Sequence, residues 1–172
     1  MKYGTILIVD DNPAILTALK ICLVDVFERI LTLAHPEGVL ALLQQERVDV
    51  ILLDMNFTVG MNSGQEGLTW LRSIHRLHAD IPVVLVTAFA DVQLAVKGLK
   101  AGASDFITKP WDNDDLIRTL KDAIDNNNHI DTLETVEAQH VRKVLDKCLG
   151  NISHAAELLG ITRQTLYSKI KK

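Results

Sequence analysis

Ile6-Leu7-Ile8-Val9-Asp10-Asp11-Asn12-Pro13 sets four consecutive apolar residues against a pair of carboxylates and then a proline. An apolar run without polar alternation is the pattern of a strand covered on both faces, as parallel strands under helices are. Pro13 suits the first position of a helix, where the missing N–H has no partner to lose. The same grammar recurs downstream. Val50-Ile51-Leu52-Leu53 runs into Asp54, Val83-Val84-Leu85-Val86 into Thr87, and Phe106-Ile107 into Thr108-Lys109-Pro110.

Between these runs, apolar residues recur at helical spacing. The periodicity predicts helices from Ala14 to Phe27, Gly38 to Gln45, Gly67 to Leu77 and Val92 to Ala101, and Asp112 can cap a fifth, with Asp114 and Asp115 at its positive end. The expected fold is α/β: a (βα)5 doubly wound parallel sheet over residues 1–125. Right-handed crossovers place the ligand site of such a sheet beyond the carboxyl ends of its strands. Asp10-Asp11, Asp54, Thr87 and Lys109 all fall there.

In VDDNP, LLDMN, VTAFAD and GASDFITKPWD, residues 3 to about 125 resemble the flavodoxin-like receiver domain of two-component response regulators, and the loop after Asp54 is similar to that of the nitrogen-regulator type. The resemblance implies that Asp54 is the phosphoacceptor. It implies that Asp10, Asp11, Asp54 and the backbone carbonyl of Asn56 hold Mg²⁺. Thr87 and Lys109 would contact the phosphoryl oxygens, and Phe106 would be the aromatic that reorients on activation. A sensor histidine kinase is the implied donor, and the fourth helix, fifth strand and fifth helix the implied dimer face. The stretch Met55 to Glu66 is longer than receivers usually have at this point, and its glycines and asparagines predict a mobile surface loop.

The residue types suit the chemistry. Clustered carboxylates repel one another, and a hard cation that prefers oxygen relieves the repulsion. A lysine adds a point charge, and phosphoryl transfer needs chiefly positioning and electrostatic stabilisation. An acyl phosphate brings nearly two negative charges, enough to draw a hydroxyl such as that of Thr87 inward and open space for Phe106.

The chain then changes character. Residues 1–132 hold 11 Lys/Arg and 18 Asp/Glu, a charge of −7, whereas 133–172 hold 7 and 4, a charge of +3. Asn126-Asn127-Asn128-His129 reads as a helix end or a short linker, taken as 126–132. Beyond it, Thr135 to Cys148 forms a helix with Val136, Val141, Val144, Leu145 and Cys148 on one face. Gly150-Asn151 breaks it, Ser153 is placed to cap a second helix, and Gly160-Ile161-Thr162 turns into a third. Ile161, Leu166 and Ile170 are expected to pack inward. This is the spacing of a small all-α helix-turn-helix domain over 133–172.

Gly150 to Lys172, with AAELLGITRQTL at its centre, resembles the Fis-type helix-turn-helix at the end of many bacterial regulators. By position, Thr162, Arg163 and Thr165 would reach bases or phosphates of duplex DNA, and Lys169 a phosphate. Ser168 occupies a position that is often basic in that family.

Other classes are disfavoured. No G-x-x-x-x-G-K-[ST] loop occurs, and the chain has no room for the ATPase module that nitrogen-regulator relatives carry. No membrane span or cleavable signal is visible, so a cytoplasmic setting is expected. Cys22 and Cys148 read as reduced packing residues, and His75 and His78 as solvated ones lacking a third ligand. The sequence thus reads as a regulator and not an enzyme: a DNA-binding response regulator that dimerises on phosphorylation. The alternative is a phosphorelay or protein-interaction receiver whose tail only dimerises.

Overall fold

The computed structural model describes residues 2–57, 64–87, 92–128 and 133–170, which divide into two units on either side of residue 128. In the first, strands β1 (Tyr3–Val9), β2 (Phe27–Leu33), β3 (Val50–Asp54), β4 (Val83–Thr87) and β5 (Asp105–Thr108) alternate with helices α1 (Pro13–Leu23), α2 (Val39–Gln45), α3 (Gln65–Leu77), α4 (Val92–Lys100) and α5 (Asn113–Asn128). The strands form one sheet in the order β2-β1-β3-β4-β5, and every pair is parallel.

Strand residues point alternately to the two faces, and each face has its own core. Ile6, Ile8, Val50, Leu52, Val84 and Val86 pack with Leu19 and Leu23 of α1 and with Leu116 and Leu120 of α5. Leu7, Val9, Ile51, Leu53, Val83 and Leu85 pack with Val39 and Leu43 of α2, Leu68 and Leu71 of α3, and Leu94 of α4. This two-sided burial is why β1, β3 and β4 are unbroken apolar runs.

The edge strand β2 corrects the expected helix from Ala14 to Phe27. That helix stops at Leu23, and Phe27 opens a strand that pairs with β1 from Tyr3↔Phe27 to Val9↔Leu33. Phe27-Glu28-Arg29-Ile30-Leu31-Thr32-Leu33 is only part-buried along most of its length, so it lacks the apolar signature of the inner strands. The last helix of this unit, α5, runs through Asn128, three residues into the expected linker.

The second unit holds α6 (Leu133–Lys147), α7 (Ile152–Leu158) and α8 (Arg163–Ile170) around buried Val141, Cys148, Ala155, Ala156 and Leu166. The α7 cap is Asn151, whose side chain accepts a hydrogen bond from the His154 N–H, and not Ser153 as the sequence suggested. Gly160 turns the chain at φ +64°, a left-handed conformation that suits glycine. Ile170 also departs from expectation: it is 44% exposed and lies outside the core, while Leu166 is fully buried. Val136 has its side chain outside the described residues. Both cysteines are free thiols, and no helix among the described residues is long and apolar enough to cross a membrane.

Candidate functional site

Strand order reverses between β1 and β3, because the chain moves outward from β1 to β2 and then returns to the other side. A cleft opens at the carboxyl ends of strands at such a point. Asp10 follows the last residue of β1 and Asp54 ends β3, so neighbouring strands deliver their carboxylates to one place. One oxygen each from Asp10, Asp11 and Asp54 lies within 4.8 Å of the others, and this is the one such acidic group among the described residues. Asp10 and Asp54 are buried, and Asp11 is half-buried.

Lys109 comes from the far side, after β5. Its Nζ lies 2.7 Å from Asp10 Oδ2 and 3.4 Å from Asp54 Oδ1. The remaining oxygen of Asp10 accepts the Asn12 N–H at 2.8 Å, and Asp54 Oδ1 accepts the Met55 N–H at 2.8 Å. Burial pushes the Asp54 carboxyl from 3.8 up to about 6; Lys109 pulls it down, Asp10 pushes it up, and the Met55 N–H pulls it down. An acid this perturbed in a cleft is a functional candidate. Three hard oxygen donors converging without enough positive charge fit a hard divalent cation.

Thr87 ends β4 beside Asp54 and is buried; its strand partner is Thr108, and its carbonyl accepts the Lys109 N–H at 2.7 Å. Phe106 lies in β5 opposite Leu85, half-buried against the core beneath α2, α3 and α4. The structure therefore brings Asp10, Asp11, Asp54 and Lys109 into contact, with Thr87 at the next strand end and Phe106 two residues before Thr108.

The connection after Asp54 lies partly outside the described residues, but both of its ends are held. Asn56 Oδ1 accepts the Gly64 N–H at 2.8 Å, and Glu66 Oε2 accepts the Phe57 N–H at 2.9 Å. Gly67 sits so close that a Cβ there would meet Met55 Cα at 2.6 Å and the carbonyl oxygens of Asp54 and Met55 at 3.0 Å. Sequence reasoning did not single out Glu66. An acidic residue in the first turn of a helix beside the site was the available signal, but it reads first as a dipole partner.

In the second unit, Thr162 immediately precedes α8 and caps it: its Oγ1 accepts the Thr165 N–H at 3.1 Å and lies 2.8 Å from Thr165 Oγ1. Arg163 is exposed at the first position, 3.4 Å from Ser153 Oγ. Lys169 is paired with Glu137 of α6 at 2.5 Å. All four expected DNA-contacting residues bond within the unit: Thr162 with Thr165, Arg163 with Ser153 and Lys169 with Glu137.

Comparison with known proteins gives two family matches. Residues 6–121 match the response regulator receiver domain, and residues 132–172 match the bacterial regulatory protein, Fis family. The chain is 32% identical over 124 residues to the DNA-binding transcriptional regulator NtrC of Salmonella typhimurium, covering 72% of this chain and 25% of that protein. It is 30% identical over 120 residues to the C4-dicarboxylate transport transcriptional regulatory protein DctD of Pseudomonas aeruginosa, with 70% and 25% covered. The chain thus spans about a quarter of the length of these curated relatives. Among solved structures it resembles the N-terminal signal receiver domain of a two-component response regulator from Bacteroides fragilis, at 49% identity and a TM-score of 0.64, covering 72% of this chain and 98% of that one.

Proposed function

This chain belongs to the response regulator receiver domain family and continues into a Fis-family region, and we propose that it is a response regulator that accepts a phosphoryl group on Asp54 and thereby controls binding to duplex DNA. The observation that carries this reading is the Asp54 carboxylate at the end of the central strand, clustered with Asp10 and Asp11 and 3.4 Å from the Lys109 ammonium.

In this reading Asp54 is the nucleophile. One of its oxygens forms a bond to phosphorus as the P–N bond to the imidazole of a sensor histidine kinase breaks, and that bond's electron pair leaves with the imidazole nitrogen. Lys109 holds a fixed positive charge beside the reacting carboxylate, and the Thr87 hydroxyl donates to a phosphoryl oxygen. Asp10, Asp11, Asp54 and the Asn56 carbonyl hold Mg²⁺, which supplies compensating positive charge to the cleft when bound. Drawing Thr87 toward the new phosphoryl group frees space for Phe106, and the altered face of α4, β5 and α5 favours a homodimer. The dimer then presents two copies of α8 to successive major grooves, with Arg163 and Thr165 at base edges, Thr162 at the helix start and Lys169 at a phosphate. The proposed setting is cytoplasmic, and the proposed role is regulation.

Two measurements test this. Treatment with a small phosphodonor and Mg²⁺ should add one phosphoryl group by intact mass, and Asp54→Ala should add none; equal labelling of Asp54→Ala overturns the assignment. Replacing Arg163 by Ala should weaken duplex binding by roughly 1–3 kcal/mol and relax its sequence preference.

A second reading draws on the internal partners of Thr162 and Lys169. There the tail is a dimerisation module and the chain a phosphorelay or protein-interaction receiver. Duplex binding that falls with salt supports the first reading, and no measurable binding at low salt supports the second.

A further inference from the structure

The start of α3 is bonded to the segment 55–57 at three points. The Gly67 N–H donates to the Met55 carbonyl at 3.0 Å, the Gly64 N–H donates to Asn56 Oδ1, and the Phe57 N–H donates to Glu66 Oε2. The Asn56 carbonyl and the Phe57 N–H belong to one peptide unit. In a trans unit these groups point in opposite directions, and the one cis bond among the described residues is Lys109–Pro110. A carboxylate that accepts the N–H therefore sets the direction of the carbonyl.

Resting on the reading of Asp10, Asp11 and Asp54 as a cation site, we propose that Glu66 is a positioning residue for the divalent cation: by accepting the Phe57 N–H it orients the Asn56 carbonyl as a ligand. Glu66 is not one of the three converging carboxylates, so it acts through the backbone and not as a ligand itself. Outer partners of this kind hold ligands in the orientation a metal requires, and their loss typically lowers affinity 10–100-fold. Gly67 supports the same arrangement, since only a residue without Cβ lets the helix start approach Met55 this closely.

Two substitutions separate position from charge. Glu66→Gln keeps an acceptor oxygen at the same reach and loses the charge; Glu66→Asp keeps the charge and shortens the reach by one methylene. Titrating MgCl₂ into the full chain by calorimetry should give Glu66→Gln an affinity within about twofold of wild type and weaken Glu66→Asp by about tenfold. Circular dichroism should show both folded, since either residue is compatible with a first helical turn. Wild-type affinity in Glu66→Asp overturns the proposal. A tenfold loss in Glu66→Gln also overturns it, by assigning the effect to charge. A wild-type protein that takes up no Mg²⁺ at millimolar concentration removes the cation reading itself, and with it this role for Glu66.

Discussion

The ammonium of Lys109 lies 2.7 Å from Asp10 Oδ2, an ion pair closed across the sheet by residues ninety-nine positions apart. The Asp10 side chain is only 4% exposed, so the pair is largely desolvated. Removing one partner of a buried pair leaves an uncompensated charge, at about 3–5 kcal/mol. Lys109→Met should therefore lower unfolding stability by about that much in chelator, as read by urea denaturation. Added Mg²⁺ should recover part of the loss, because the orphaned carboxylates remain free to bind it. An unchanged midpoint in chelator would show that the pair contributes nothing.

The raised Asp54 carboxyl gives a pH signature. Its value rises from 3.8 to about 6 in the fold, so the native state binds that proton more tightly than the unfolded chain. The advantage is fully present below 3.8 and is lost as pH rises through about 6. Asp54→Asn, measured in chelator, should consequently stabilise the protein by on the order of 3 kcal/mol at pH 7.5 and by little at pH 3.5. A gain independent of pH would place the perturbed acid elsewhere.

Gly67 should tolerate no side chain. A Cβ would meet backbone atoms of Asp54 and Met55, and backbone yields less easily than a flexible side chain. Gly67→Ala should cost about 1–3 kcal/mol in thermal or urea unfolding and slow labelling of Asp54 by a small phosphodonor. Wild-type stability together with wild-type labelling would argue against the close approach.

The second unit depends on a very small core. Leu166 is fully buried among Val141, Cys148, Ala155 and Ala156. Leu166→Ala should cost about 2–5 kcal/mol, comparable with the whole stability of so small a unit. NMR should show the signals of α6, α7 and α8 collapse while those of the sheet persist, and duplex binding should be lost with Asp54 labelling retained.

Much was legible from the residues alone. Inner parallel strands are buried on both faces, so β1, β3 and β4 had to be unbroken apolar runs, and each run leads to its own candidate residue in Asp10, Asp54 or Thr87. The charge also changes along the chain, from −7 over residues 1–132 to +3 over 133–172. The edge strand β2 was hidden because an edge is half solvated and carries Glu28 and Arg29 within it, so its pattern blended into the preceding helix. Short side chains near a helix start compete as caps, and only the three-dimensional turn selected Asn151 over Ser153. The contacts that matter most at the site were beyond any sequence pattern. Lys109 meets Asp10, and Glu66 meets the Phe57 N–H, through chain crossings and backbone directions that arise when the sheet assembles. Local sequence specifies which groups each strand end carries; which of them meet is decided by the order of the strands and the path of the backbone between them.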